Sequence, residues 1–107
     1  MDPAKRRTSE RRMPEMRFVI EWPSGEQQVC YSPSLVVKEH LDVGESYDLD
    51  DFVSRCRTAL DIASERVFKK YGFPCSLARA EAARIASAAA RFHGRSGAKV
   101  RVLRFVE

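Results

Sequence analysis

Alternating apolar and polar side chains predict a strand near the start of the chain. Apolar residues occupy every second position over 16–22, and most of the positions between them are polar. A period of two is typical of a strand with one buried face. The turn formers Pro23, Ser24 and Gly25 follow. We therefore expect a second strand over 27–31, paired antiparallel with the first.

A short helix is predicted after this hairpin. The segment Ser32-Pro33-Ser34 offers hydroxyl groups for an N-cap and a proline for the first turn. These signals favour a helix that ends near His40. The β-branched Val36 and Val37 favour extended structure instead, so both interpretations stay open at this point.

Apolar residues at steps of three or four predict a long helix over 49–71. Asp48 is placed to cap this helix, and Gly72 is placed to end it. An alanine-rich stripe predicts a last helix over 76–92. A third strand is predicted over 99–106, where apolar residues again alternate.

The order of these elements is β-β-α-α-α-β, which predicts an α+β fold. We expect a three-stranded antiparallel sheet with the helices packed on one face. The 107 residues leave room for one such domain, over 15–107. Residues 1–14 are polar and charged and are predicted to be a disordered basic tail. Met13 begins the segment MPEMRF and is a second candidate for the translation start.

Charge and cysteine content limit the classes of function. Residues 1–12 contain five bases and two acids, so they hold +3 of the chain's +4 charge. The remaining body is nearly neutral, and nucleic acid is not an expected partner. No apolar run is long enough to span a membrane, and no secretory signal is recognisable. Three cysteines without CxxC spacing fit free thiols in a reducing compartment, and we expect the protein in the cytoplasm.

Charge inside the body is uneven. Residues 39–51 contain six acids and no lysine or arginine, whereas residues 79–104 contain seven bases and a single acid, Glu81. Two solvated faces that attract each other within the fold are the simpler interpretation. A surface for a protein partner or an anionic ligand is the alternative.

No catalytic or cofactor-binding motif is present in the sequence. GxGxxG, the P-loop and GxSxG are all missing, and the cysteines and histidines lack the spacing of metal ligands. Cys75 precedes a predicted helix, where a thiolate is favoured, but no base is tied to it. Cys30 and Cys56 are expected to be structural. We predict no catalytic residue, metal or cofactor, and an enzymatic role stays uncertain.

One ligand hypothesis follows from the predicted helix starts. Free backbone N–H groups at two helix N-termini can hold an anion. If these termini converge with Tyr31 and a C-terminal arginine, they form a site for a carboxylate or a phosphate. The candidate ligand-binding residues are Tyr31, Ser32, Ser34, Cys75 and Ser76. Ordinary helix capping by the same residues is the alternative.

Four segments resemble a family of small bacterial proteins. They are MPEMRF (13–18), CYSPSLVV (30–37), ASER (63–66) and YGFPCS (71–76). The family is named for the nitrogen-starvation response and was first grouped around mycobacterial members. The likeness extends from Met13 to the C-terminus.

The resemblance implies a physiological setting rather than a reaction. Members of this family are encoded in a gene cluster with a nitrilase, a radical S-adenosylmethionine (SAM) protein, an N-acetyltransferase-like protein, a synthase resembling purine-pathway enzymes and a flavoprotein. Use of nitrogen from nitriles or cyanide is the associated physiology. We therefore expect a non-enzymatic accessory or regulatory partner of a cluster enzyme, with a homodimer as a further possibility. A small-molecule binder or minor enzyme that uses Cys75 is the alternative.

Overall fold

A four-stranded antiparallel sheet forms one layer of the computed structural model, which describes residues 14–107. The strands are β1 (Met16–Glu21), β2 (Gln27–Ser32), β3 (Ser46–Asp48) and β4 (Lys99–Val106). Their spatial order is β2-β1-β4-β3. The predicted tail, residues 1–14, lies outside the described residues except for Pro14.

The prediction of three strands is wrong, because β3 adds a fourth. This strand has three residues and only one buried side chain, that of Tyr47, so its alternation is too short to be recognised. Pairing with β4 creates it: Ser46 lies opposite Arg101, and Asp48 lies opposite Lys99. The Tyr47 hydroxyl oxygen also accepts a hydrogen bond from the Asp42 N–H at 2.8 Å.

The predicted short helix is a 3₁₀ helix, Leu35–Glu39. Ser34 caps it as expected, since its Oγ accepts a hydrogen bond from the Val36 N–H at 3.2 Å. The element has five residues and is short, as 3₁₀ helices usually are, and the β-branched Val36 and Val37 within it are both buried. The observed order is therefore β-β-3₁₀-β-α-α-β, with two α-helices instead of three.

The long helix α1 (Leu49–Tyr71) has the predicted bounds, and α2 (Ser76–Ala90) ends two residues earlier than predicted. Gly72 ends α1 in the left-handed conformation, with its N–H bonded to the Phe68 carbonyl at 2.8 Å. Asp48 does not cap α1 through its side chain, because its carboxylate binds Lys99 Nζ at 2.7 Å. Within residues 14–107, no helix is long and apolar enough to cross a membrane.

The core lies between one face of the sheet and the two helices. The predicted alternation in β1 is confirmed on the core side, where Met16, Phe18 and Ile20 are buried, but Val19 on the opposite face is buried as well. Trp22 follows them and packs edge-on against Phe52 and stacks on Phe92, both with ring centroids 5.8 Å away. These contacts join the sheet to α1 and to the turn after α2.

The opposite face of the sheet, called the open face below, carries exposed apolar and basic side chains. A β-bulge in β4 shifts its register against β1 between Val19 and Ile20. The bulge moves Phe105 to the core side and Val106 to the open face, beside Arg17. Val29 on β2 is likewise exposed on the open face.

Candidate functional site

The hydroxyl groups of Ser32 and Ser34 bind the turn that contains them. Ser32 Oγ donates to the Ser34 carbonyl at 2.6 Å and accepts from the Ser34 N–H at 3.3 Å. Ser34 Oγ also accepts from Arg66 Nη1 at 3.2 Å, in addition to its capping bond. Both side chains are buried. These contacts are the ones expected if the two serines cap the turn. Capping was the alternative to an anion site at these residues.

Tyr31 and Cys75 lie near each other, at the junction of β2 with the start of α2. The Tyr31 hydroxyl donates to Glu15 Oε2 at 3.1 Å, and the Arg17 guanidinium lies 5.7 Å from the ring centroid. Burial, the Glu15 carboxylate and the nearby Cys75 together raise the pKa of Tyr31 to about 12. Tyr31 is therefore a neutral hydrogen-bonding group at physiological pH.

The start of α2 is built around a half-buried cysteine. Cys75 occupies the N-cap position without a side-chain cap bond, and its N–H donates to Ser64 Oγ on α1 at 3.3 Å. Ser76 follows and is exposed. Of the five candidate ligand residues, Tyr31 is joined to α2 through the Glu81 carboxylate, which accepts from its N–H, whereas Ser32 and Ser34 point their hydroxyls into their own turn.

An ion pair on α2, in which the carboxylate is buried and the guanidinium is half exposed, was missed by the sequence reasoning. Glu81 is buried, and its Oε2 accepts from Arg84 Nη2 at 2.7 Å and from the Tyr31 N–H at 3.0 Å. Arg84 Nη2 also donates to the Val29 carbonyl at 2.8 Å. The pair thus binds the outer backbone groups of β2, an edge strand that would otherwise expose them. Its sequence signal is the i,i+3 spacing of Glu81 and Arg84.

Cys30 and Cys56 are buried thiols in the core. Burial raises the pKa of Cys30 to about 12, and the nearby Glu81 carboxylate adds to this effect. Burial also raises the pKa of Cys56 strongly. Because the thiolate is the nucleophile, neither residue is reactive near neutral pH.

Raising the pH above about 9 is expected to destabilise the fold. A thiol ionises near pH 9.0 in the unfolded chain, but Cys30 stays protonated in the folded chain up to about pH 12. Above pH 9 the folded state therefore binds more protons than the unfolded state. The free energy of unfolding falls as pH rises, by up to about 1.4 kcal/mol per pH unit for each buried thiol.

Urea denaturation at about pH 8, 9 and 10 measures this slope. Cys56→Ala is the matched variant, and it is expected to remove about half of the slope because one of the two thiols is gone. A free energy of unfolding that stays constant from pH 8 to 10 would contradict the predicted thiol burial.

A polar groove of about 460 Å³ lies at the start of α1. Its lining includes Asp48, Asp50, His93 and Arg95. His93 Nε2 lies 3.9 Å from Asp50 Oδ1, and both side chains are exposed. Among residues 14–107, no three side chains of the metal-binding types converge. The groove therefore offers exposed charges without a cluster that would hold a metal.

Four large apolar side chains are exposed where α1 meets α2. We call them the corner patch: Phe68, Tyr71, Phe73 and Leu77, which are 52%, 46%, 63% and 62% exposed. The Tyr71 and Phe73 ring centroids are 6.4 Å apart. Tyr71 continues the apolar periodicity of α1, yet its side chain is exposed. Apolar residues grouped in this way often mark a binding surface.

A groove adjoins the corner patch. Its volume is about 340 Å³, and it lies between the second half of α1 and the start of α2. Its lining residues are Asp61, Ser64, Glu65, Phe68, Pro74 and Arg79. Phe68 belongs to both features, so the patch and the groove form one continuous surface.

Comparison with known proteins identifies the family. No curated protein and no solved structure matches the chain. The family model described as "Nitrogen starvation-induced protein NitG" matches residues 17–105. The match includes β2, β3, α1 and α2 completely and nearly all of β1 and β4. This chain therefore belongs to the family of the nitrogen starvation-induced protein NitG, in agreement with the resemblance noted in its sequence.

Proposed function

We propose that this protein is a non-enzymatic accessory or regulatory partner of an enzyme that assimilates nitrogen during starvation. The family gives the physiological setting, and the corner patch is the observation that supports a binding role. Phe73 and Leu77 are more than half exposed, although the domain buries most of its other large apolar side chains. A binding partner would remove this apolar surface from water.

The composition of the corner patch suits a protein interface. Burying one large apolar side chain contributes about 1.5–3 kcal/mol. Aromatic residues dominate the binding energy of many interfaces, and three of the four side chains in the patch are aromatic. The nitrilase, the radical SAM protein and other enzymes of the gene cluster implied by the resemblance are the first candidates for the partner.

A small-molecule binding role is the second candidate. The packing of α2 against β2 favours it, since Tyr31 lies on β2 while Cys75 and Ser76 lie at the start of α2. In this reading the ligand is a small anion held by Tyr31, Cys75 and Ser76. The Glu15 carboxylate bound to Tyr31 opposes an anion at that position.

Substitution of the corner patch is expected to abolish partner recovery. Tagged full-length protein carrying Phe73→Ser and Leu77→Ser would be isolated from nitrogen-starved cells beside the unchanged protein. Both side chains are exposed, so the fold should be retained while apolar contact is lost. Mass spectrometry of the recovered proteins gives the result.

The matched control is Val29→Ser with Val106→Ser on the open face, where both side chains are about half exposed. The unchanged protein and this control should recover the same enzyme of nitrogen metabolism, and the patch variant should lose it. Equal recovery of that enzyme by the patch variant would refute a role for the corner patch.

A further inference from the structure

Basic residues surround the corner patch. The stretch 66–79 contains four bases and no acid: Arg66, Lys69, Lys70 and Arg79. Arg66 is bound to the Ser34 hydroxyl. Lys69 reaches Glu65 at 3.5 Å, but both side chains are about two thirds exposed or more, so this pair is weak. The patch therefore has a basic rim made by Lys69, Lys70 and Arg79.

Helix stability accounts for only part of this rim. Lys69 and Lys70 lie in the last turn of α1, where positive charge is favourable to the helix dipole. Arg79 lies near the first turn of α2, where the dipole disfavours positive charge. It also forms no ion pair within the described part of the chain. Asp61 and Glu65 line the same groove but form no ion pair with Arg79, so its guanidinium is available to a negatively charged binding partner.

The shape of the surface favours a protein segment over a lipid surface. The groove beside Phe68 is concave, with a volume of about 340 Å³, and it can receive an apolar side chain. Asp61 and Glu65 also line the groove and would repel anionic lipid headgroups. A helix or extended segment can instead place an apolar side chain in the groove and its carboxylates beside Lys69, Lys70 and Arg79.

We propose that the corner patch binds an acidic, amphipathic segment of another protein. An apolar side chain of that segment enters the groove, and its carboxylates lie against Lys69, Lys70 and Arg79. This inference rests on the proposed accessory function and adds the chemistry of the partner.

Fluorescence anisotropy with defined peptides tests the inference on the full-length protein. The probe is a fluorescein-labelled amphipathic peptide of about 18 residues, with leucines on one helical face and glutamates on the other. A second peptide has lysine in place of every glutamate. The acidic peptide is expected to bind at least about tenfold more tightly than the basic one.

Charge-reversal variants of the protein measure the contribution of the basic rim separately from that of the apolar patch. Lys70→Glu with Arg79→Glu is expected to weaken binding of the acidic peptide at least about tenfold. The control, Arg101→Glu with Arg104→Glu on β4, makes the same change in net charge and should alter the affinity less than about twofold. Phe73→Ser with Leu77→Ser should abolish binding.

Three results would overturn the inference. They are equal affinity for the two peptides, binding to phosphatidylglycerol vesicles that depends on Lys70 and Arg79, and a protein dimer that dissociates when Phe73 and Leu77 are replaced. The second would assign the surface to a membrane, and the third to another copy of the chain. The accessory function is judged separately, by whether the patch variant loses the cellular enzyme.

Discussion

Trp22→Ala is expected to lower the free energy of unfolding by about 4 kcal/mol. Trp22 is almost completely buried and contacts Phe52 and Phe92, which belong to different parts of the helical layer. Its Nε1 also donates to Gln28 Oε1 on β2 at 2.8 Å. Alanine would leave a large cavity where the sheet and both helices meet.

Urea denaturation measures this loss. Far-ultraviolet circular dichroism is the signal, because Trp22 is the only tryptophan and its fluorescence disappears in the variant. Val29→Ala on the open face is the control and should cost less than about 1 kcal/mol. Trp22→Phe keeps most of the packing and should cost about 1–2 kcal/mol, so it gives a value even if the alanine variant does not fold. A loss below about 1 kcal/mol for Trp22→Ala would show that this packing is not formed.

Glu81→Ala is expected to lower the free energy of unfolding by about 2 kcal/mol. The substitution removes the acceptor of the Tyr31 N–H and the partner of Arg84 together. The outer edge of β2 then loses the side chain that binds its N–H, and the Arg84 guanidinium loses its carboxylate. The cost of leaving the Arg84 guanidinium without its carboxylate is reduced, because its side chain is about half exposed and water can solvate it.

Glu65→Ala is the matched control, because Glu65 also forms a pair with a base on its own helix, but at the surface. Its cost should stay below about 0.5 kcal/mol. Glu81→Gln keeps an acceptor for Tyr31 and should fall between the two. Equal stabilities for the variants at positions 65 and 81 would refute the structural role of the buried Glu81 carboxylate.

The sequence was sufficient for the elements with long, regular patterns. The alternation in β1 and the stripe of α1, with Gly72 after it, predicted their bounds because each contains several repeats and a clear stop. The strand β3 was missed because its three residues acquire their structure from pairing with β4, about 50 residues away. Its existence depends on tertiary contacts that no local pattern records.

The corner patch could not be predicted from local sequence patterns either. The apolar periodicity of α1 predicts which side of the helix is apolar. It does not predict how far along the helix the sheet beneath it extends. The 23 residues of α1 extend about 35 Å, whereas a six-residue strand such as β1 spans about 20 Å. Tyr71 at the end of α1 therefore remains exposed and contributes to the corner patch. Glu81, in contrast, was seen only as a lone acid among bases.

Alkylation of Cys75 inside nitrogen-starved cells is the most direct test of the binding role. Cys75 lies between Phe73 and Leu77 and is half-buried, whereas Cys30 and Cys56 are fully buried. Maleimide should therefore modify Cys75 alone in the folded protein, and mass spectrometry would follow the rate. If a partner covers the corner patch, Cys75 of the unchanged protein should react about tenfold more slowly than Cys75 of the Phe73→Ser, Leu77→Ser variant in the same cells, as about 90% occupancy requires, while the two purified proteins should react at similar rates. Equal rates for the two proteins in cells would contradict the account.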